Sequence, residues 1–263
     1  MNYAFVEPWH RFLPREGGHV VGLMGSGGKT SLLRIFADTY RSRGVPTIMT
    51  TTTRCEILPG VDHLTWADLD DTPAADLPAT FFLSAGVGDD AKWRGLETDQ
   101  VDELGRRFPR RVVLVEVDGA AKHPVKLYRP GEPCWPARTS LAVVVMGTAA
   151  IGERVGEVLH RFGRQTFAPL AEVAASDDFV WDHLRHLLLA EGGYLAQVPA
   201  GVPALLALTG LDDLADSVGL FDFVGRAMAD ERLPLIVFCG LGSTPPTLRT
   251  ACRREPSGPG PAT

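Results

Sequence analysis

No apolar run in the sequence approaches the ~20 residues that a membrane-spanning helix requires, which excludes a helical anchor. The opening stretch, MNYAFVEPWHRFLPREGG, has no basic segment followed by an apolar one, so a secretory leader is not expected. Cysteine is scarce. Cys55, Cys134, Cys239 and Cys252 lie far apart with no Cys-x-x-Cys pair, which argues against a disulfide framework and against a zinc site. A basic surplus is also missing: 26 Lys and Arg stand against 32 Asp and Glu, a net charge of -6. The field of the whole chain therefore repels nucleic acid and anionic membranes. These absences lead to the expectation of a soluble, cytoplasmic protein with neither as a partner. Lysine is the rarest charged residue, with only Lys29, Lys92, Lys122 and Lys126; arginine supplies the other basic positions.

What is present is a regular alternation of short apolar runs with helical patterns, over a chain that is 45% hydrophobic. Strands are expected at 19–24, 46–51, 111–117, 141–147, 204–210 and 235–240, with a weaker one at 81–86. Continuous apolar runs of this kind suit strands covered on both faces of a parallel sheet. Helices are expected at 29–44, 98–108, 170–193 (as two helices) and 212–231. Residues 1–252 read as one α/β domain, with a subdomain from about residue 150 as an alternative. The Pro/Gly/Ser-rich end, 253–263, reads as a disordered tail.

The segment VVGLMGSGGKTSLL, residues 20–33, carries the strongest chemical signal. An apolar strand runs into Gly25, Ser26, Gly27 and Gly28, then Lys29, Thr30 and Ser31 open a helix. Glycines let backbone N–H groups turn inward as an anion nest, and the helix adds its positive N-terminal end. Lys29 could reach phosphate oxygens and Thr30 could offer its hydroxyl to Mg²⁺. The first glycine stands four residues before the lysine, shorter than the usual phosphate-loop spacing and similar to Mur-type ligases. The expected fold is therefore a three-layer, P-loop NTPase-like α/β fold with a mostly parallel sheet. The expected ligands are ATP, or another nucleoside triphosphate, and Mg²⁺.

Two further segments belong with this loop. In RRVVLVEVDGAAKHPVK an apolar strand ends in Glu116 and Asp118, two residues apart and so on one face. Carboxylates at the carboxyl end of a parallel strand stand where such sheets bind ligands. Both are candidate catalytic residues, Asp118 as the Mg²⁺ partner of Thr30 and Glu116 as the group that orients an attacking water. Lys122 and Lys126 could contact phosphate or a second anionic substrate, or belong to a solvated loop. The run TIMTTTTR brings Thr51, Thr52, Thr53 and Arg54 to the end of another strand, as ligands of phosphate or Mg²⁺, or simply as a strand running into a loop.

Together, LMGSGGKTSLL, IMTTTTR and LVEVDGAAKHPVK resemble the YqeC family, accessory proteins of selenium-dependent molybdenum hydroxylases. EPCWP (132–136), VLHRFG (158–163) and LLLAEGGYLAQVPAG (187–201) extend the resemblance over most of the chain. It implies a role in selenium cofactor biosynthesis, with a molybdenum hydroxylase or another maturation protein as partner. It also supports Lys29, Thr30, Glu116, Asp118 and Lys126 as site residues. Two departures stand out: ALLALTGLDD replaces an Asn-Lys-x-Asp-like stretch, and EPCWP replaces Glu-Pro-Val-Ile-Pro. The chemistry implied is that of a nucleoside triphosphate hydrolase or transferase. A Mur-like ATP-dependent ligase, or a non-hydrolysing switch that docks a partner enzyme, is the alternative.

Overall fold

A computed structural model describes residues 3–5, 13–88, 91–119, 121–211, 217–233, 235–240 and 247–253. The N-terminal half contains β1 (Tyr3–Phe5), β2 (Val20–Gly25), α1 (Lys29–Ser42), β3 (Thr47–Thr51), β4 (His63–Thr65) and α2 (Trp66–Asp71). It continues through β5 (Thr80–Ser84), the short pair β6 (Gly86–Val87) and β7 (Trp93–Arg94), α3 (Thr98–Arg107) and β8 (Val112–Glu116). The rest comprises β9 (Val125–Lys126), β10 (Thr139–Gly147), α4 (Val155–Val158), β11 (Leu159–His160) and α5 (Trp181–Leu189). Last come β12 (Ala204–Thr209), α6 (Ser217–Ala227), β13 (Leu235–Gly240) and β14 (Thr247–Arg253).

Ten of these strands form one sheet in the order β1-β14-β13-β12-β10-β2-β8-β3-β5-β4. Every pairing from β13 across to β4 is parallel; β14 is antiparallel to both its neighbours. The fold is α/β with a mostly parallel central sheet.

Strand residues divide between two apolar clusters with period two, as pleating requires. Val20 and Met24 of β2, Val113 and Val115 of β8, and Val144 and Met146 of β10 join one cluster with Leu104 of α3 and Leu184 of α5. Val21 and Leu23, Val112 and Leu114, and Val143 and Val145 join the other, with Leu32, Leu33 and Phe36 of α1. Both faces of the central strands are buried, which is why their sequences read as unbroken apolar runs.

The expected pair of helices over 170–193 is a single α-helix, α5, preceded by a 3-10 turn at Ala168–Leu170. Residues between them pair elsewhere: Phe179 N–H donates to Glu153 O at 2.7 Å, and Gly152 N–H to Phe179 O at 2.8 Å. Asp177 also caps the turn through Ala174 N–H at 2.8 Å. Backbone groups engaged this way cannot continue a helix. The expected helix over 212–231 is α6; residues 212–216 lie outside the described part. So does the expected tail, apart from Arg253, which closes β14. Among the described residues no helix is long and apolar enough to cross a membrane.

The topology sets the site. β8 enters the sheet between β2 and β3, so Glu116 stands in register with Leu23 on one side and Thr51 on the other. The phosphate-loop candidate and the acidic strand end thus meet at the carboxyl edge of the sheet.

Candidate functional site

The loop between β2 and α1 depends on glycine for two physical reasons. Gly25, Gly27 and Gly28 have φ of 96, 87 and 129°, which side chains disfavour. A Cβ on Gly25 would also lie 2.0 Å from Val145 O, and one on Gly27 2.6 Å from Gly147 Cα. The back of the loop is thus pressed onto β10. Ser26 N–H donates to Val145 O at 2.9 Å, and the Thr209 hydroxyl of β12 donates to Gly27 O. Ser26 is buried, whereas Gly27, Gly28, Lys29, Thr30 and Ser31 line a cleft of about 480 Å³.

Four side chains from the two motifs meet beneath and beside this loop. The Thr30 hydroxyl donates to Glu116 Oε1 at 2.7 Å. Lys29 Nζ donates to Gly25 O at 2.6 Å and pairs with Asp118 Oδ1 at 3.0 Å. Asp118 accepts further hydrogen bonds from Gly25 N–H and from the Tyr128 hydroxyl, both at 2.8 Å. The two carboxylates therefore divide their work. Glu116 faces the cleft beside Thr30, and fully buried Asp118 props the loop and its lysine from behind.

Burial pulls the Lys29 ammonium down, but Asp118 and Glu116 outweigh it and hold its pKa above the ordinary lysine value. Burial raises Glu116, against the opposing pull of Lys29 and Thr30. A carboxyl group raised in this way is more readily protonated than an exposed one. Lys126, on the far side of Asp118 at 3.3 Å, is held below the ordinary lysine range by burial, which Asp118 only partly offsets.

Lys126 is fully buried and does not line the cleft; its Nζ donates to Gly119 O at 2.7 Å and lies 3.5 Å from Glu132. Lys122 does line the cleft, exposed at its mouth, and pairs with Glu56 at 2.8 Å. Among the threonines, Thr51 donates to Glu116 O at 3.1 Å and Thr52 to Cys134 O at 3.2 Å. Thr53 N–H donates to the Thr51 hydroxyl at 3.1 Å. These hydroxyls brace the ends of β3 and β8 and stand outside the cleft lining; Arg54, next in sequence, is part of it. Cys55 also lines the cleft, but burial and the nearby Glu116 and Glu56 push its thiol up to about 12. A thiol held so high is a poor nucleophile at neutral pH.

Sequence reasoning did not identify Arg34, Glu56, Lys92 or Tyr128, and it touched Glu132 and Arg161 only as parts of the stretches EPCWP and VLHRFG. Arg34 and Lys92 line the cleft. Arg34 lies four residues after Thr30 on α1, a spacing that puts both on one helix face and could have marked it. The rarity of lysine was the corresponding signal for Lys92. Glu132 is nearly buried and pairs with Arg161 at 2.7 Å and Arg129 at 2.8 Å. Burial raises its carboxyl, yet Arg161, Lys126 and Arg129 together hold it below the ordinary value. The two stretches are local, but nothing within either one shows that Glu132 and Arg161 pair with each other.

A model of the YqeC protein family matches residues 21–163, over half of the chain and all of the site apart from its later supports. The chain is also 29% identical over 188 residues to an uncharacterised YqeC protein of Escherichia coli (strain K12). That alignment covers 69% of this chain and 72% of the relative. No solved structure matches the chain.

Proposed function

The chain belongs to the YqeC family, and from that premise we propose that it binds a nucleoside triphosphate with Mg²⁺ in selenium cofactor biosynthesis. Its place there is the maturation of selenium-dependent molybdenum hydroxylases, with such an enzyme or another maturation protein as its partner. The observation that carries the nucleotide reading is the loop itself. Three left-handed glycines, a buried lysine and a threonine at a helix N-terminus open onto a cleft on the carboxyl edge of a parallel sheet. Loop amides and Lys29 would take the phosphates, and the substrate is ATP or another nucleoside triphosphate.

The donor set fits Mg²⁺. Thr30 Oγ1 and Glu116 Oε1 are hard oxygens 2.7 Å apart. Among the described residues no group of three or more His, Cys, Asp or Glu could hold a metal alone. Mg²⁺ keeps several waters and takes substrate phosphate oxygens, so two protein oxygens suffice. When bound, it supplies neutralisation of charge on the transferring phosphoryl group. Glu116 lines the cleft beside Thr30 and would hold the ion there or orient the attacking molecule. Hydrolysis or phosphoryl transfer is the chemistry this arrangement favours.

Titration of nucleotide into Lys29→Ala tests the reading. Asp118 keeps Lys126, Tyr128 and Gly25 N–H as partners in the variant, and its circular dichroism checks that it is folded. Loss of a charged phosphate contact is worth about 1.5–3 kcal/mol, or roughly ten- to a hundred-fold in affinity. Unchanged affinity in a folded variant rejects the loop as the nucleotide site.

A further inference from the structure

The cleft extends past the phosphate loop to a second wall built from other parts of the chain. Arg34 of α1, Arg54, Lys92 and Lys122 stand along it with Glu56, so cations outnumber carboxylates four to one in a chain of net charge -6. Three of the four lysines in the sequence line this one cleft, the third being Lys29 of the loop.

The wall is braced. Cys55 and Trp93 exchange backbone hydrogen bonds at 3.1 and 2.9 Å, which ties Arg54 and Glu56 to the segment that carries Lys92. Trp93 is itself buried and stacks against Phe82 at 4.2 Å and His63 at 4.4 Å. Arg34 donates to Pro59 O at 3.0 Å and so joins the same wall to α1. Across the mouth, Lys122 has φ of 65° and follows Ala121 at 46°, two successive left-handed residues that aim its side chain at Glu56. Backbone of this kind is costly for residues other than glycine and concentrates at ligand-binding positions. The Glu56 carboxylate thus occupies, on an exposed and displaceable contact, the place an incoming oxyanion would take.

Loop amides, Lys29 and the Thr30 and Glu116 oxygens face the nucleotide's phosphates from the loop side of the cleft, and the outer wall faces the space beyond them. Four more cations on separate segments call for more negative charge. We propose that this outer wall binds a second small molecule bearing an oxyanion group, phosphate or carboxylate, beside the nucleotide. This inference rests on the nucleotide reading of the loop and makes the site a place where two anionic reactants meet.

The test titrates inorganic phosphate, and in parallel acetate, into the chain saturated with Mg²⁺ and a non-hydrolysable ATP analogue. Wild type binds at least one of the two oxyanions at a single site, and the better ligand identifies the class. Lys92→Ala/Lys122→Ala, two exposed positions, weakens that binding by about ten-fold or more and nucleotide binding by no more than about two-fold. Absence of oxyanion binding to the saturated wild type overturns the proposal. So does an equal loss of nucleotide affinity in the double variant, since the outer cations would then serve the nucleotide itself. If the chain takes up no nucleotide at all, the loop reading fails separately. Phosphate titration of the nucleotide-free chain then decides the wall, which stands if the double variant loses phosphate and falls if it keeps it.

Discussion

Thr30 and Glu116 are 86 residues apart in sequence and joined by a 2.7 Å hydrogen bond at the mouth of the loop. The bond keeps the two oxygens together at the cleft, which is why the proposed Mg²⁺ role is tested on both. Thr30→Ala and Glu116→Gln are therefore each expected to weaken Mg²⁺-dependent nucleotide binding or turnover. Residues that act on one ion are non-additive, so the double variant should lose less than the sum of the two. Mg²⁺ titrations of the four proteins measure this, and strict additivity would separate the two residues functionally.

Asp118 predicts a different phenotype. It is buried between Lys29 and Lys126, and Asp118→Asn leaves Lys29 with Gly25 O as its close partner. Breaking a buried ion pair from one side costs about 3–5 kcal/mol. Denaturant unfolding should register a loss of that order, and Asp118→Asn/Lys29→Met should recover part of it. Wild-type stability in Asp118→Asn would show that the pair is not a structural support.

Stability should fall on mild acidification. Burial, with Arg161, His123 and Lys126 nearby, lowers His160 to about 4, against the opposing influence of Glu132. A depressed folded pKa means that the unfolded chain takes up the proton first as pH falls. The contribution is intact above the ordinary value of 6.5 and is lost progressively as pH drops toward about 4. Unfolding free energies across that window should decline less steeply in His160→Asn. His63 and His183 are shifted in the same direction, so the slope should shrink without vanishing. An identical slope in the variant counts against His160.

The pathway assignment is tested in cells. Deleting the gene should lower selenium-dependent molybdenum hydroxylase activity while sparing selenoprotein synthesis. Cys55→Ser should restore activity as well as wild type, because the thiol is held near 12. Lys29→Ala should not. Undiminished hydroxylase activity in the deletion strain removes the assignment.

Much of the fold was legible because the relevant signals are local. The strands at 20–25, 112–116, 139–147 and 204–209 are built around apolar runs, since α1 covers one face and α3 and α5 the other. The glycine loop was legible for the same reason: it joins β2, which ends at Gly25, directly to the helix that starts at Lys29. Elements whose form depends on distant partners were not. The turn at 171–180 reads as helix until residues 152–156 claim its backbone, and β14 has meaning only beside β13.

In the site, the residue types were settled by sequence and their division of labour by tertiary structure. Glu116 and Asp118 are two residues apart at a strand end, and the glycine loop leading into Lys29 and Thr30 is written in the chain. Which carboxylate meets Thr30 depends on β8 entering between β2 and β3, a choice of neighbours that no local pattern encodes. The same packing turns Lys126 from a loop lysine into a buried counter-charge for Asp118, held from behind by Glu132 and Arg161. It also brings Arg34, Lys92 and Lys122 from three separate segments to one wall. Periodicity and turn chemistry act within a few residues, whereas ion pairs and clefts are made by strand order, which emerges only when the whole sheet is assembled.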